Sequence, residues 1–456
     1  MKKTLIASIS GVRGIFGRGF DPEVIVRYTA SFGTWCLDKG DTIVVGRDAR
    51  VSGEVCASLV TETLRSQGFH VIDAGLAATP TVEMAVLKER AAGGIILSAS
   101  HNPEEWNALK LLGSEGEFLT PAEAIPVIYH ANVSATDRKY ATFDAIGSLE
   151  RRDYLDYHVG AILDLPYIRP DAIRSRNFRV VVDGINSVGG FAIPAMLRAL
   201  GVQERNIVCL NCDDTGRFAH PAEPLPANLV DTCRVVRDER ADLGIVVDPD
   251  ADRLALVENE GTYVSEELTQ VMAADFLWQH STGDFVTNLS SSRAIDDVAA
   301  RYDAQVHRSA VGEINVVEKM REVGAMLGGE GNGGVILPDL HYGRDALVGT
   351  AMILQHLADA ELSLSGLRTR LPEYHMVKLK TDLAGLDPDV LLEQMGREYA
   401  GERVSTIDGV KIDFDDGWVH MRKSNTEPIM RVYAESKTEA GAHDLGDRFR
   451  RELLAG

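Results

Sequence analysis

The sequence predicts an α/β protein of four domains: three similar α/β units with mixed sheets, then a C-terminal α+β domain, all around a central cleft. Three observations carry this. Short apolar runs alternate with stretches of helical periodicity from about residue 41 onward. The alternation restarts twice, at a spacing of roughly 100 residues. From about residue 371 the pattern turns strand-rich and ends in one helix. A chain of 456 residues also exceeds what one hydrophobic core normally serves. The expected boundaries are 1–150, 151–257, 258–370 and 371–456. No low-complexity linker separates these blocks, so they should pack together.

In the first block, Asp41 to Gly46 reads as a strand and Ser52 to Gln67 as a helix stopped by Gly68. Phe69 to Ile72 is a strand, and Thr81 to Arg90 a helix after Pro80. A buried strand then runs through Gly93, Gly94, Ile95, Ile96 and Leu97 toward Ser100. This βαβαβ order implies mainly parallel pairing. In the second block, strands Phe178–Gly184, Ile207–Leu210 and Ala241–Val247 alternate with helices near Gly190–Leu200 and Leu229–Arg237. The third holds a helix from Glu266, strands at Phe285, Gln305 and Ala325, and helices at Ala294–Tyr302 and Ile314–Arg321. The last holds strands near Met376–Leu379, Gly409–Phe414, Trp418–Arg422 and Met430–Tyr433, then a helix from Glu439.

Hydrophobic residues are 45% and charged residues 25% of the chain, a globular composition with no apolar run long enough for a membrane helix. Gly11-Val12-Arg13-Gly14 interrupts the short apolar start, so a cytoplasmic protein is expected. The net charge of −21 argues against nucleic acid or an anionic membrane as main partner. An anionic substrate therefore needs a locally basic site. Five cysteines, thinly spread, do not make a disulfide framework, and Cys209-Leu210-Asn211-Cys212 reads as two ordinary thiols.

Four stretches carry chemistry. Ser98-Ala99-Ser100-His101-Asn102-Pro103 presents a hydroxyl beside an imidazole at a strand end, with Lys110 close behind to supply charge or a proton. Asp248-Pro249-Asp250-Ala251-Asp252-Arg253 follows an apolar strand. In an extended backbone its aspartates fall on one side, and three adjacent carboxylates need a cation. Hard oxygen ligands favour Mg²⁺, Mn²⁺ or Ca²⁺, and a three-ligand set suits Mg²⁺. Gly328-Gly329-Glu330-Gly331-Asn332-Gly333-Gly334 formally matches GxGxxG, but a strand follows instead of a helix. Glu330 and Asn332 in a glycine frame suit sugar hydroxyls. Arg422-Lys423-Ser424-Asn425-Thr426-Glu427-Pro428, with Arg431, gathers guanidinium, hydroxyl and amide donors into an oxyanion binder.

With these motifs in this order, the chain resembles the α-D-phosphohexomutases: phosphoglucomutase, phosphomannomutase and phosphoglucosamine mutase. Ser100-His101-Asn102-Pro103 matches the family's phosphoserine loop, and Asp248, Asp250 and Asp252 its metal loop, with Arg253 following. Glu330 falls in its sugar loop and Arg422, Ser424, Asn425 and Thr426 in its phosphate loop. Gly46-Arg47-Asp48 and Phe218 to Pro224 are smaller matches. The resemblance implies one Mg²⁺ held by Ser100 and the three aspartates, a phosphoserine at Ser100, and a hexose 1,6-bisphosphate as intermediate and activator. It implies that Lys110 and His101 handle protons and charge, that Arg13 supports Ser100, and that Arg253 orients the sugar. Monomer or homodimer both fit. Where some members of the family have histidine, Val311-Gly312-Glu313 carries a glutamate, which favours a 2-amino sugar and hence glucosamine phosphate over glucose or mannose phosphate. A non-catalytic sugar-phosphate binder and an aspartate-nucleophile phosphatase are the competing classes; neither uses all four stretches.

Overall fold

The structure, a computed structural model, describes residues 4–133, 138–383, 385–423 and 429–455, and the counts given are of these residues. By internal packing the chain divides into two units, Met1–Thr269 with Asn332–Arg368, and Gln270–Gly331 with Thr369–Gly456.

The first unit holds two sheets. One comprises β1 (Ile6–Ser8), β2 (Gly11–Ile15), β3 (Thr42–Arg47), β4 (His70–Leu76), β5 (Gly93–Leu97), β6 (Trp106–Leu112) and β7 (Leu149–Arg151), in the order β1-β2-β6-β5-β3-β4-β7. Strands β5, β3, β4 and β7 run parallel, as the βαβαβ order predicts. The other edge is antiparallel: β5 with β6, β6 with β2, β2 with β1. The reason is local. A short loop joins β5 to β6, and a short loop can only reverse the chain; parallel pairing needs a crossover helix. That loop carries Ser100. Both faces of the sheet are buried. Along β3, Ile43 and Val45 join Ile25, Phe32, Leu64 and Ile95 on one side, while Val44 joins Ile72, Val82, Val86 and Ile96 on the other. The period of two puts alternate residues in opposite cores, so a strand buried on both faces reads as a continuous apolar run.

The second sheet repeats the device. It comprises β8 (Val180–Asp183), β9 (Ile207–Leu210), β10 (Leu243–Val247), β11 (Leu254–Glu258) and β12 (Tyr263–Val264), in the order β12-β11-β10-β8-β9. Strands β8, β9 and β10 are parallel, β11 pairs antiparallel with β10, and the tight loop between β10 and β11 carries the aspartates.

A buried cluster ties the helix Ala346–Ala360 into this unit. Asp345 caps the helix, its Oδ1 accepting from the N–H groups of Leu347 and Val348. Its Oδ2 lies 2.8 Å from His158 Nε2 and 3.4 Å from His341 Nε2. His341 Nδ1 lies 3.2 Å from Glu83, and His158 Nδ1 lies 3.0 Å from Thr81 Oγ1. The clasp fixes residues 341–345, which also carry Arg344.

The second unit holds parallel strands β13 (Phe285–Asn288), β14 (Val306–Ser309) and β15 (Leu327–Glu330). It also holds an antiparallel sheet of β17 (His375–Asp382), β18 (Arg403–Ser405), β19 (Val410–Asp413), β20 (Gly417–Lys423) and β21 (Ile429–Ser436), after the short β16 (Gly334–Ile336) of the first unit. The order is β17-β21-β20-β19-β18. Helices Pro388–Glu398 and Glu439–Ala455 contribute Leu391, Met395 and Phe449 to one core with Val419, Met421 and Val432. This is the α+β element the sequence predicts. Among the described residues, no helix is long and apolar enough to cross a membrane.

The clasp sets a pH dependence. Burial works to lower His341, but its bonds to Asp345 and Glu83 outweigh this and hold it up at about 10. The folded value exceeds the unfolded one of about 6.5, so its stabilisation is complete below that pH and fades as pH rises toward 10. His341→Gln should lower the thermal midpoint by several degrees at pH 6, with the gap to wild type closing by pH 9.5. A gap independent of pH would show that His341 contributes no charge.

Candidate active site

The serine loop begins where β5 ends. Ser98 Oγ accepts the Ser100 N–H at 3.0 Å, and the Asn102 N–H turns back to the Ala99 carbonyl. Ser100 itself sits at φ +46°. A left-handed backbone is uncommon for serine, costs about 1–3 kcal/mol, and persists where the surroundings over-determine it. The result is a buried hydroxyl aimed across the unit. Ser100 Oγ donates to Asp248 Oδ2 at 2.8 Å, and His101 Nδ1 lies 3.4 Å away.

The three aspartates are gathered differently from the sequence reading. The loop is a turn, not an extended run. The Ala251 N–H bonds the Asp248 carbonyl, and Ala251 adopts φ +53°. Asp248 Oδ1 then accepts the N–H groups of Asp252 and Arg253, both at 3.2 Å. The turn brings one carboxylate oxygen from each aspartate to within 4.8 Å of the others, and all three side chains are fully buried.

Cations surround them. Lys110, on β6, places Nζ 2.5 Å from Asp250 Oδ2 and 3.4 Å from Asp252 Oδ2. Arg344 Nη2 reaches Asp252 Oδ2 at 2.8 Å. Arg253 Nε stands 3.9 Å from Asp248 and 3.8 Å from Asp252. Arg13, on β2, is near enough to feel Arg253 and Asp250. Thr79 donates its hydroxyl to Asp250 Oδ2 at 2.7 Å and its N–H to the Asp250 carbonyl at 2.9 Å. The fields follow. Burial first, then Asp252 and Asp250, push Asp248 well above the usual carboxylate range. Burial acts on Lys110 in the lowering direction, yet Asp250 and Asp252 overcome it and raise it, so the ammonium stays charged. Arg253, then burial and Arg13, hold His101 well below its ordinary value, so it is neutral at pH 7.

These residues fit a hard divalent cation. Asp250 Oδ1 and Asp252 Oδ1 are buried without a hydrogen-bond partner, a state that costs free energy and that a cation relieves. Three carboxylates already face four cations, so a bound divalent ion leaves the site strongly positive, which suits a phosphoryl group.

The second unit carries the other predicted residues except Asn332. Glu330, buried at the end of β15, accepts from Asn288 Nδ2 at 2.9 Å and from the Gly312 N–H at 3.1 Å on one oxygen. Glu313, also buried, opens the helix Glu313–Val323 directly after Gly312, so two carboxylates flank one glycine. Arg422 and Arg431 lie opposite each other on β20 and β21. Like charges in register repel, and both half-buried guanidinium groups keep an Nε without a hydrogen-bond partner among the described residues. Both features are relieved by an anion. Ser424, Asn425 and Thr426 lie outside the described residues. Asn332, in the first unit, turns its Oδ1 to the Gly334 N–H at 3.2 Å.

The first unit thus brings together Ser100, His101, Lys110, Arg13, Asp248, Asp250, Asp252 and Arg253. The sequence reading did not anticipate Thr79 or Arg344. The one usable signal was Gly343-Arg344-Asp345 before an apolar helix, where Asp345 announces an N-cap and Arg344 rides beside it. Saturating Mg²⁺, at about 100 times its dissociation constant, should stabilise the folded chain by about 2.7 kcal/mol and raise its thermal midpoint. Asp250→Asn should remove most of that Mg²⁺-dependent rise, and Asp213→Asn, at an exposed acid, should keep it. An equal rise in all three proteins would place the ion elsewhere.

Known proteins resemble this chain along nearly its whole length. Family models described as phosphoglucomutase/phosphomannomutase match the chain in four consecutive pieces: alpha/beta/alpha domain I at residues 6–135, domain II at 152–261, domain III at 265–374 and the C-terminal domain at 379–452. A phosphoglucomutase/phosphomannomutase of Thermococcus kodakarensis is 36% identical, the alignment covering 98% of each chain. A probable phosphoglucosamine mutase of Methanopyrus kandleri is 34% identical over 96% of each. The crystal structure of a phosphoglucomutase/phosphomannomutase family protein from Burkholderia thailandensis superposes with a TM-score of 0.84 at 27% identity, covering 99% of this chain and 98% of that one. The chain therefore belongs to the phosphoglucomutase/phosphomannomutase family, the phosphohexomutases, which are isomerases that move phosphoryl groups.

Proposed function

We propose that this enzyme interconverts the 1- and 6-phosphates of a hexose through a phosphoserine at Ser100, and that its preferred sugar is glucosamine phosphate. The observation that carries the first part is the Ser100 hydroxyl at 2.8 Å from Asp248, inside a buried cluster of acids and cations. In the forward half-reaction a sugar hydroxyl attacks the phosphorus on Ser100. The P–Oγ bond breaks and its electron pair returns to Oγ, giving a bound 1,6-bisphosphate. The second half-reaction reverses this with the other phosphate after the sugar turns over. Neutral His101 takes the proton from the attacking hydroxyl and delivers it to Oγ. Lys110 stays an ammonium and offsets charge on the equatorial oxygens, while Arg13 supports Ser100 and Arg253 orients the reacting sugar. Mg²⁺ held by Asp248, Asp250 and Asp252 would supply Lewis-acid stabilisation of the same oxygens. Arg422 and Arg431, with Ser424, Asn425 and Thr426, take the phosphate that is not reacting.

The preference for an amino sugar rests on Glu313 and Glu330, two buried carboxylates beside Gly312. Paired acids suit the ammonium at carbon 2, and Glu330 can also accept from ring hydroxyls. Relatives named as phosphoglucosamine mutase support this reading. The alternative is glucose or mannose phosphate, which the name of the 36% identical Thermococcus relative favours. A non-catalytic binder has no use for the buried acid–cation cluster at Ser100.

Ser100→Ala should lower kcat by at least ~1000-fold, the loss expected on removing a nucleophile. An aspartate-nucleophile phosphatase would keep its activity. On wild type, kcat/KM for glucosamine phosphate should exceed that for glucose or mannose phosphate by about tenfold or more, equivalent to ~1.4 kcal/mol, and Glu313→Gln should erase most of the difference. Faster turnover of glucose phosphate would overturn the amino-sugar assignment and leave the mutase chemistry standing.

A further inference from the structure

Arg50 is almost fully buried, and all five of its N–H donors are engaged. Nε bonds Asp48 Oδ2 at 3.0 Å. Nη2 bonds the carbonyl oxygens of Ser100 at 2.6 Å and Asn102 at 2.8 Å. Nη1 bonds those of Pro103 at 2.5 Å and Trp106 at 3.0 Å. Four of the five acceptors are backbone carbonyls of the serine loop or its exit into β6. One rigid guanidinium fork therefore dictates the path of the loop on both sides of Ser100.

The anchor of the fork is Asp48, which is fully buried. It also accepts the Arg50 N–H at 2.9 Å and the Ser98 hydroxyl. Ser98 in turn holds the Ser100 N–H. The left-handed Ser100 is thus gripped at its carbonyl by Arg50 and at its N–H, through Ser98, by Asp48.

The same short segment reaches the metal loop. The Ala49 N–H donates to Ser187 Oγ at 3.3 Å, and Ser187 Oγ donates to the Pro249 carbonyl at 2.6 Å. Pro249 lies between Asp248 and Asp250. So residues 48–50, with Ser187, link the loop that presents the hydroxyl to the loop that presents the carboxylates.

We infer that Arg50 and Ser187 are positioning residues for phosphoryl transfer: they fix the Ser100 hydroxyl against the aspartate turn without touching the sugar. Their loss then acts on the rate of transfer and spares sugar binding, because a displacement of about 1 Å costs on the order of 100-fold in rate. The inference rests on the phosphoserine reading of Ser100, and the test separates the two.

The test compares wild type, Arg50→Lys and Ser187→Ala after mixing with Mg²⁺ and glucose 1,6-bisphosphate. Intact mass follows phosphate arriving on the chain, peptide mapping places it, and steady-state kinetics gives kcat and KM. Circular dichroism confirms folding. Lysine keeps the charge but cannot bridge four carbonyls. Arg50→Lys should phosphorylate at Ser100 about 100-fold more slowly, with a matching fall in kcat and KM within about threefold. Ser187→Ala, the milder change, should fold even if Arg50→Lys does not, and should lose about five- to tenfold in both rates with KM unchanged. A purely structural role would lower the thermal midpoint and leave the rates of the folded protein alone. Wild-type rates in the folded variants, or a rise in KM at unchanged kcat, overturn the inference. If wild type itself takes no phosphate at Ser100, the phosphoserine reading fails and carries the inference with it.

Discussion

One hydrogen bond, from the Ser100 hydroxyl to Asp248, is the constraint the first unit is built around. Its partners are 148 residues apart, on loops at the ends of two different sheets. Both loops arise the same way: a buried parallel strand is followed by an antiparallel neighbour, and the reversal leaves polar residues at the strand's end. Both contain a non-glycine residue in the left-handed region, Ser100 in one and Ala251 in the other. Two strained turns facing each other need a dense hydrogen-bond framework, and Thr79, Ser187 and Arg50 supply it.

The second constraint is charge. Asp248, Asp250 and Asp252 are withdrawn from water beside Lys110, Arg344 and Arg253. Buried ion pairs of this kind seldom stabilise a fold more than packed apolar residues would, because desolvation consumes much of the attraction. Their presence in the core of this unit therefore points to chemistry. The cations and acids nearly balance, so a bound divalent metal would make the site positive and a phosphoryl group would return it toward neutral. The opposed Arg422 and Arg431 make the same argument in the second unit, where two like charges on adjacent strands are tolerable if an anion sits with them.

Much of this was legible in the sequence because apolar runs and turn residues are local signals. Strands β3, β5, β8 and β10 are buried on both faces and read as continuous apolar stretches. The serine and aspartate motifs stand where those runs end. What escaped was whatever depends on long-range geometry. The mixed character of the first sheet is as the sequence predicts, but which strands form its antiparallel edge, β6, β2 and β1, depends on pairing between distant segments. The aspartates were expected on one side of an extended strand, yet Ala251 turns the chain and a turn collects them instead. Arg50 and Arg344 look like ordinary charged residues in polar segments, and only folding shows that they are buried against carbonyls and a carboxylate. The helix Ala346–Ala360 is apolar nearly all round, so it lacks the amphipathic stripe by which a surface helix is read.

The central claim is that one buried hydroxyl and one metal site share a phosphoryl group. Phosphorus-31 NMR tests it directly. The chain would be phosphorylated with glucose 1,6-bisphosphate, freed of excess ligand, and titrated with Mn²⁺ in place of Mg²⁺. The account predicts a single phosphoserine resonance that broadens beyond detection at about one equivalent of Mn²⁺, and that returns on adding excess Mg²⁺, because ion and phosphate are in contact. A phosphoserine signal that stays sharp while Mn²⁺ binds would contradict it.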